Sequence, residues 1–143
     1  MSKRIFILRS EEIRRRCQEA VWKADDNDRV TISQPVKSRD QEEKYHSMIG
    51  DIAKVALFMG NKHHPDDWKR LLVDAFAKVM RDAGTPLHHD GRVIPSLDFE
   101  RVVQLGIQTK DFYSAEASQF IEYLYSYGAE LDVVWSDAKR EAT

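Results

Sequence analysis

Apolar residues recur at helical spacing from Tyr45 to Ala56, directly behind a helix-start signal, and no other stretch constrains the fold as much. The signal is Ser38-Arg39-Asp40-Gln41, which fits the S-x-x-Q capping box: the serine side chain caps, and the glutamine reaches back to the capping residue's own amide. Tyr45, Met48, Ile49, Ile52 and Ala56 then share one face. The helix is expected to reach Phe58 or Met59 and to stop at Gly60. A second helix should open near Pro65, with Asp66 and Asp67 favourably placed at the positive end of its dipole. Its stripe is Trp68, Leu71, Leu72, Ala75, Phe76 and Val79, closed by Gly84 and Pro86. Two such stripes can be buried only against each other or against a further layer.

The flanking sequence supplies that layer. Ser114 is expected to cap a last helix carrying Ala117, Phe120, Ile121 and Leu124 and ending at Gly128. Toward the amino terminus, Arg4–Leu8 and Arg29–Ser33 read as short strands, the second ended by Pro35. Between them Ser10, Glu11 and Glu12 start a helix to about Lys23, with Ile13, Cys17, Ala20 and Val21 on one face, and residues 25–28 form a polar turn. His89-Asp90-Gly91 signals a turn, and Arg92–Ile94 and Arg101–Ile107 read as strands around Pro95. Leu131–Trp135 is a final apolar segment before a charged tail. The expected class is α+β: a small, mainly antiparallel sheet packed with about four helices.

Composition excludes several functional classes. A chain of 143 residues, 42% hydrophobic and 32% charged, fits a single globular domain over 1–143. No apolar run approaches the roughly 20 residues of a membrane span, and Ile5–Leu8 is too short for the core of a secretion signal. A cytoplasmic location with no membrane partner is the expectation. The single cysteine, Cys17, allows no internal disulfide, and on an apolar helix face it reads as a buried structural thiol. With 22 basic and 24 acidic residues the net charge is −2, so any nucleic-acid site must be a local basic patch.

The stretch Lys37–Asp51, KSRDQEEKYHSMIGD, resembles the signature of the NinB (lambda Orf) family of phage recombination proteins. In that signature a Ser-x-Asp-Gln segment opens a helix running through an aromatic position to a Gly-Asp pair. The matching residues are Ser38, Asp40, Gln41, His46, Gly50 and Asp51, with Glu42 and Glu43 after the glutamine. Asp67-Trp68-Lys69 and the ending Val134–Asp137 agree as well, so the resemblance covers nearly the whole chain. It implies a non-enzymatic homodimer, ring-like or clefted, with a basic channel for single-stranded DNA. Its expected role is early in phage recombination, assisting recombinase loading alongside the host single-strand-binding protein in the host cytoplasm. It implies no cofactor.

Candidate DNA contacts are Lys37, Ser38, Arg39, Gln41, His46, Thr109 and Lys110. Lys37 and Arg39 can neutralise phosphates beside a helix N-terminus, itself a site of free N–H groups and positive dipole. Gln41 has two readings, a capping partner or an amide offered to a phosphate or base edge. His46 occupies the aromatic position and offers a ring for base stacking. The resemblance places Thr109 and Lys110 on the channel. Arg14, Arg15 and Arg16 cannot all face one ligand, because a helix turns about 100° per residue.

His63-His64 and His88-His89, each followed by aspartate, invite a metal reading. Adjacent loop histidines diverge, however, and no H-E-x-x-H motif is present, so none is expected to bind metal. No phosphate-binding G-x-x-x-x-G-K-S/T loop and no G-x-S-x-G elbow occurs. Catalytic residues and cofactors are therefore not expected. Two rival classes remain open: a protein–protein adaptor to host recombination or replication factors, favoured by Glu42-Glu43 and the negative charge, and a metal-dependent nuclease built on scattered carboxylates.

Overall fold

The computed structural model describes residues 3–89, 91–105 and 108–136. The chain divides into two units, residues 1–35 and 36–143.

In the first unit α1 spans Glu11–Lys23. The Ser10 hydroxyl accepts from the amide of Ile13 at 3.2 Å, and Glu11 and Glu12 face the positive dipole end. Arg15 pairs with Glu11 at 3.0 Å and Arg16 with Glu12 at 2.7 Å, so two of the three consecutive arginines are tied to their own helix. No residue of α1 is buried, and Cys17, expected inside, is only half-buried. Asp25–Asp28 is the expected turn, with Asn27 in the left-handed region at φ 74°. The expected strands at 4–8 and 29–33 do not form. Among the described residues their alternating apolar side chains find no neighbouring strand, and Ile5 and Ile32 stay exposed; a strand is stable only as part of a sheet.

The second unit holds the core. α2 (Arg39–Val55), α3 (Pro65–Asp82) and α4 (Ser114–Glu130) pack together, with an antiparallel hairpin of β1 (Arg92–Pro95) and β2 (Val102–Leu105) between α3 and α4 in sequence. The arrangement is α+β, as expected. Tyr45, Ile49 and Ile52 of α2, Leu72 and Phe76 of α3, and Phe120 and Leu124 of α4 are almost wholly buried, together with Phe112. Each side chain of this size contributes roughly 1.5–3 kcal/mol on burial. Their rings meet edge-on or tilted; Phe76 and Phe120 have centroids 5.2 Å apart and Tyr45 and Phe120 5.5 Å.

Several boundaries differ from expectation. α2 ends at Val55, and Phe58 and Asn61 exchange backbone hydrogen bonds across Met59 and Gly60, both at positive φ. Gly60 thus serves a tight reversal that turns the chain toward α3, and is not the helix stop. The last helix starts one residue early, with Tyr113 as its N-cap and Ser114 inside, and runs past the expected stop at Gly128 to Glu130. The strand expected over 101–107 is β2, ending at Leu105; residues 106 and 107, Asp90 and the tail from 137 lie outside the described residues. No helix among the described residues is long and apolar enough to cross a membrane.

Candidate nucleic-acid interface

The amino-terminal ends of α2 and α4 lie side by side, and one glutamine joins them. Ser38 Oγ accepts from the Gln41 amide at 3.1 Å, while Gln41 Oε1 accepts from the Ser38 amide at 2.8 Å, completing the capping box. The other end of the same side chain reaches across to α4. Its Nε2 donates to the Ser114 carbonyl and to Ser118 Oγ, both at 2.9 Å, and the Ser114 hydroxyl donates to Oε1 at 3.3 Å. Both amide hydrogens and two acceptor directions are therefore engaged. Gln41 positions the two helix ends.

The chain just before α2 extends this seam. Val36 bridges antiparallel to Tyr113, and the Lys37 amide donates to the Phe112 carbonyl at 3.1 Å. Lys37 Nζ donates to the Lys110 carbonyl at 3.4 Å and lies 3.7 Å from Glu42, with its side chain only 13% exposed. Lys37 and Lys110, far apart in sequence, thus share one place, while Glu42 offsets part of their charge. Arg39 and Lys110 are both exposed.

Thr109 is placed differently from expectation. It opens a short 3-10 turn (Thr109–Asp111) and is 2% exposed, so its hydroxyl is not presented to a phosphate. It lies instead beside Tyr45. Burial pushes the Tyr45 phenol up, with the nearby Thr109 hydroxyl partly opposing, yet among the described residues the phenol oxygen has no hydrogen-bond partner of adequate geometry.

His46 sits farther along α2, beyond Glu42. Its Nε2 is 3.7 Å from Glu42 Oε1, and its side chain is 43% exposed. Desolvation lowers the imidazole pKa, the charge of Lys69 lowers it further, and Glu42 opposes both. Lys69, on α3, is a cation that sequence reasoning did not single out. The Asp67-Trp68-Lys69 match was its only signal, and what brings it to His46 is the packing of α3 on α2.

A second unforeseen cluster lies at the start of α4. Glu116 is 9% exposed, and its carboxylate accepts from the amides of Tyr113 and His88 and from the His88 ring. The sequence signal available was half a capping box, an acidic residue three places after the N-cap. His63 and His64 act locally: His63 Nε2 lies 3.0 Å from the Phe58 carbonyl, and His64 Nδ1 caps α3 by accepting from the Asp66 amide. Among the described residues no group of three or more His, Cys, Asp or Glu side chains is placed to hold a metal ion.

The two ends of the recognised pattern also meet. Asp51 of the Gly-Asp pair, 6% exposed, accepts from the amide and the hydroxyl of Ser136 in the Val-Trp-Ser ending. That pattern extends along the chain, because residues 2–136 match the family profile described as NinB protein. The chain belongs to the NinB family. The ninB protein of Salmonella phage P22 is 26% identical over 113 residues, covering 79% of this chain and 70% of that protein. That of Escherichia phage lambda is equally similar, covering 69% of its own length. A solved structure described as NinB superposes with a TM-score of 0.56 at 25% identity, covering 99% of this chain and 95% of the other. In this NinB chain Ser38, Gln41, Asp51 and Ser136 serve first as joints of the fold, and the cations gather around the joint at Gln41.

Proposed function

We propose that this NinB-family chain is a non-enzymatic phage recombination mediator. It binds single-stranded DNA and assists recombinase loading where the host single-strand-binding protein coats the strand. The observation that carries this reading is the seam at which two helix N-termini converge, held by Gln41 and flanked by Lys37, Arg39 and Lys110. Two dipole ends of the same sign add to the cations, and a phosphate chain is the ligand such a stripe suits. His46 and Lys69 continue it along α2 and α3. With an overall charge of −2 the attraction is local, which agrees with a homodimer that doubles the stripe across a channel. The working place of such a protein is the host cytoplasm.

Gel-shift titration of oligonucleotides at two salt concentrations tests this reading. Single strands should bind more tightly than duplex, with affinity falling steeply as salt rises. No binding at low salt would overturn it.

A second reading, an adaptor to host recombination or replication proteins, is favoured by the hairpin. Leu97, Phe99 and Val102 are 103%, 83% and 75% exposed, an apolar tip of the kind that marks protein contacts. A pull-down of host single-strand-binding protein, with and without DNA, separates the two. Capture that persists after nuclease treatment and is lost with Leu97→Ser/Phe99→Ser supports the adaptor.

A further inference from the structure

Three aromatic rings stand in a column beside the proposed phosphate stripe, two of them the His88-His89 pair that the sequence offered only for a metal. The Tyr113 and His88 rings stack with centroids 3.6 Å apart and planes only 10° from parallel. His89 follows, its centroid 4.4 Å from that of His88 at a tilt of 49°, and it is exposed. The middle ring is held from outside the column. Glu116 Oε1 lies 2.5 Å from His88 Nδ1 and Oε2 accepts from the His88 amide at 2.8 Å, while the Tyr113 amide donates to Oε1 at 2.9 Å. With Glu116 ionised its oxygen can only accept, so Nδ1 is the donor in this contact. One nearly buried carboxylate thus fixes both the plane of the imidazole and the backbone that carries the phenol.

The column is continuous with the cations. Tyr113 is the N-cap of α4 and bridges to Val36, next in sequence to Lys37, while Lys110 lies one 3-10 turn before it. Proteins that bind single strands without reading sequence combine these two components, cations along the backbone and rings on which bases lie. From this juxtaposition we infer that the Tyr113–His88–His89 column is a stacking platform for an unpaired base. The phosphates on either side of that base run past Lys110 and Lys37. Glu116 is a positioning residue: it touches no nucleotide and keeps His88 parallel to Tyr113. The inference rests on the reading of the seam as a site for single-stranded DNA.

The test compares an oligo-deoxythymidine strand with an abasic strand of the same length and charge, bound by the full chain and by two variants. His89→Ala removes the exposed end of the column, and Lys110→Ala removes a cation; neither side chain belongs to the core. The normal chain should prefer the strand that has bases. His89→Ala should cost about tenfold in affinity for it, with no change toward the abasic strand and the same salt dependence. His89→Phe should restore the preference. Lys110→Ala should weaken both strands alike and flatten the salt dependence. Equal binding of both strands by the normal chain, or an unchanged preference in His89→Ala, overturns the platform and leaves the DNA reading standing. Failure of both strands to bind overturns that reading instead.

Discussion

Asp51 holds Ser136 by two hydrogen bonds, one from its hydroxyl at 2.6 Å and one from its amide at 2.9 Å, across 85 positions of sequence. This fastens the segment after α4 to the C-terminal half of α2. Hydrogen bonds to a charged acceptor contribute about 1.5–3 kcal/mol each, and removing the acceptor leaves a donor unpaired. Asp51→Ala should therefore lower stability by about 2–3 kcal/mol in a urea melt. Ser136→Ala keeps the amide bond and should cost about half as much. Hydrogen exchange over 131–136 should speed up in both variants.

The same segment is wedged at Gly128. A Cβ added there would overlap the Trp135 indole, which stands edge-on to Tyr125 with centroids 5.4 Å apart. The indole cannot easily retreat, because its chain neighbour Ser136 is tied to Asp51. Gly128→Ala should then destabilise by about 1–3 kcal/mol, although alanine is the better helix former by about 1 kcal/mol. With Trp135→Ala in the background the overlap is gone and the sign should reverse. A double-mutant cycle of thermal melts reads this directly; additive effects would show that the indole gives way.

Gln41 separates a positioning role from a binding one. Gln41→Ala removes bonds to Ser38, Ser114 and Ser118 at once, and should cost about 1–3 kcal/mol in stability together with DNA affinity. Ser118→Ala loses one bond and should cost less than about 1 kcal/mol. Arg39→Ala, at an exposed position, should lower affinity with no shift in the melting temperature. Loss of affinity in Gln41→Ala with an unchanged melting temperature would make the amide a direct contact.

Much of the fold is legible in the sequence, because local rules and burial agree there. The S-x-x-Q box and the Tyr45–Ala56 stripe define α2, and Pro65 with two aspartates defines the start of α3. Legibility fails where a tertiary partner decides. Arg4–Leu8 and Arg29–Ser33 have strand composition but, among the described residues, no strand beside them, so propensity has nothing to act on. Leu71 and Val79 lie on the apolar stripe of α3 yet are 37% and 50% exposed, while Val73 and Ala77, off that stripe, are buried. For the candidate site, Lys37, Ser38, Arg39 and Gln41 could be named from the sequence, and Lys110 through the family resemblance. That Gln41 would bond to α4, that Thr109 would turn inward and that Lys69 would approach His46 follow from packing over long separations.

His46 ties the electrostatics of the site to pH. Its folded-state pKa lies below the ordinary value of about 6.5, through desolvation first and Lys69 second. A histidine lowered by folding is neutral in the native chain while its unfolded counterpart takes up protons. Its contribution to stability is therefore complete above the unfolded pKa and is lost as pH falls through the folded one. Partial exposure and solvent screening keep that contribution small. The titration itself should be plain by NMR: Lys69→Ala should raise the imidazole midpoint, and Glu42→Ala should lower it further. A phosphate bound alongside favours the protonated ring, so single-strand affinity should rise as pH drops through the interval between the free and bound midpoints. His46→Gln should abolish that extra rise. A pH profile unchanged by His46→Gln would place the imidazole outside the strand's path.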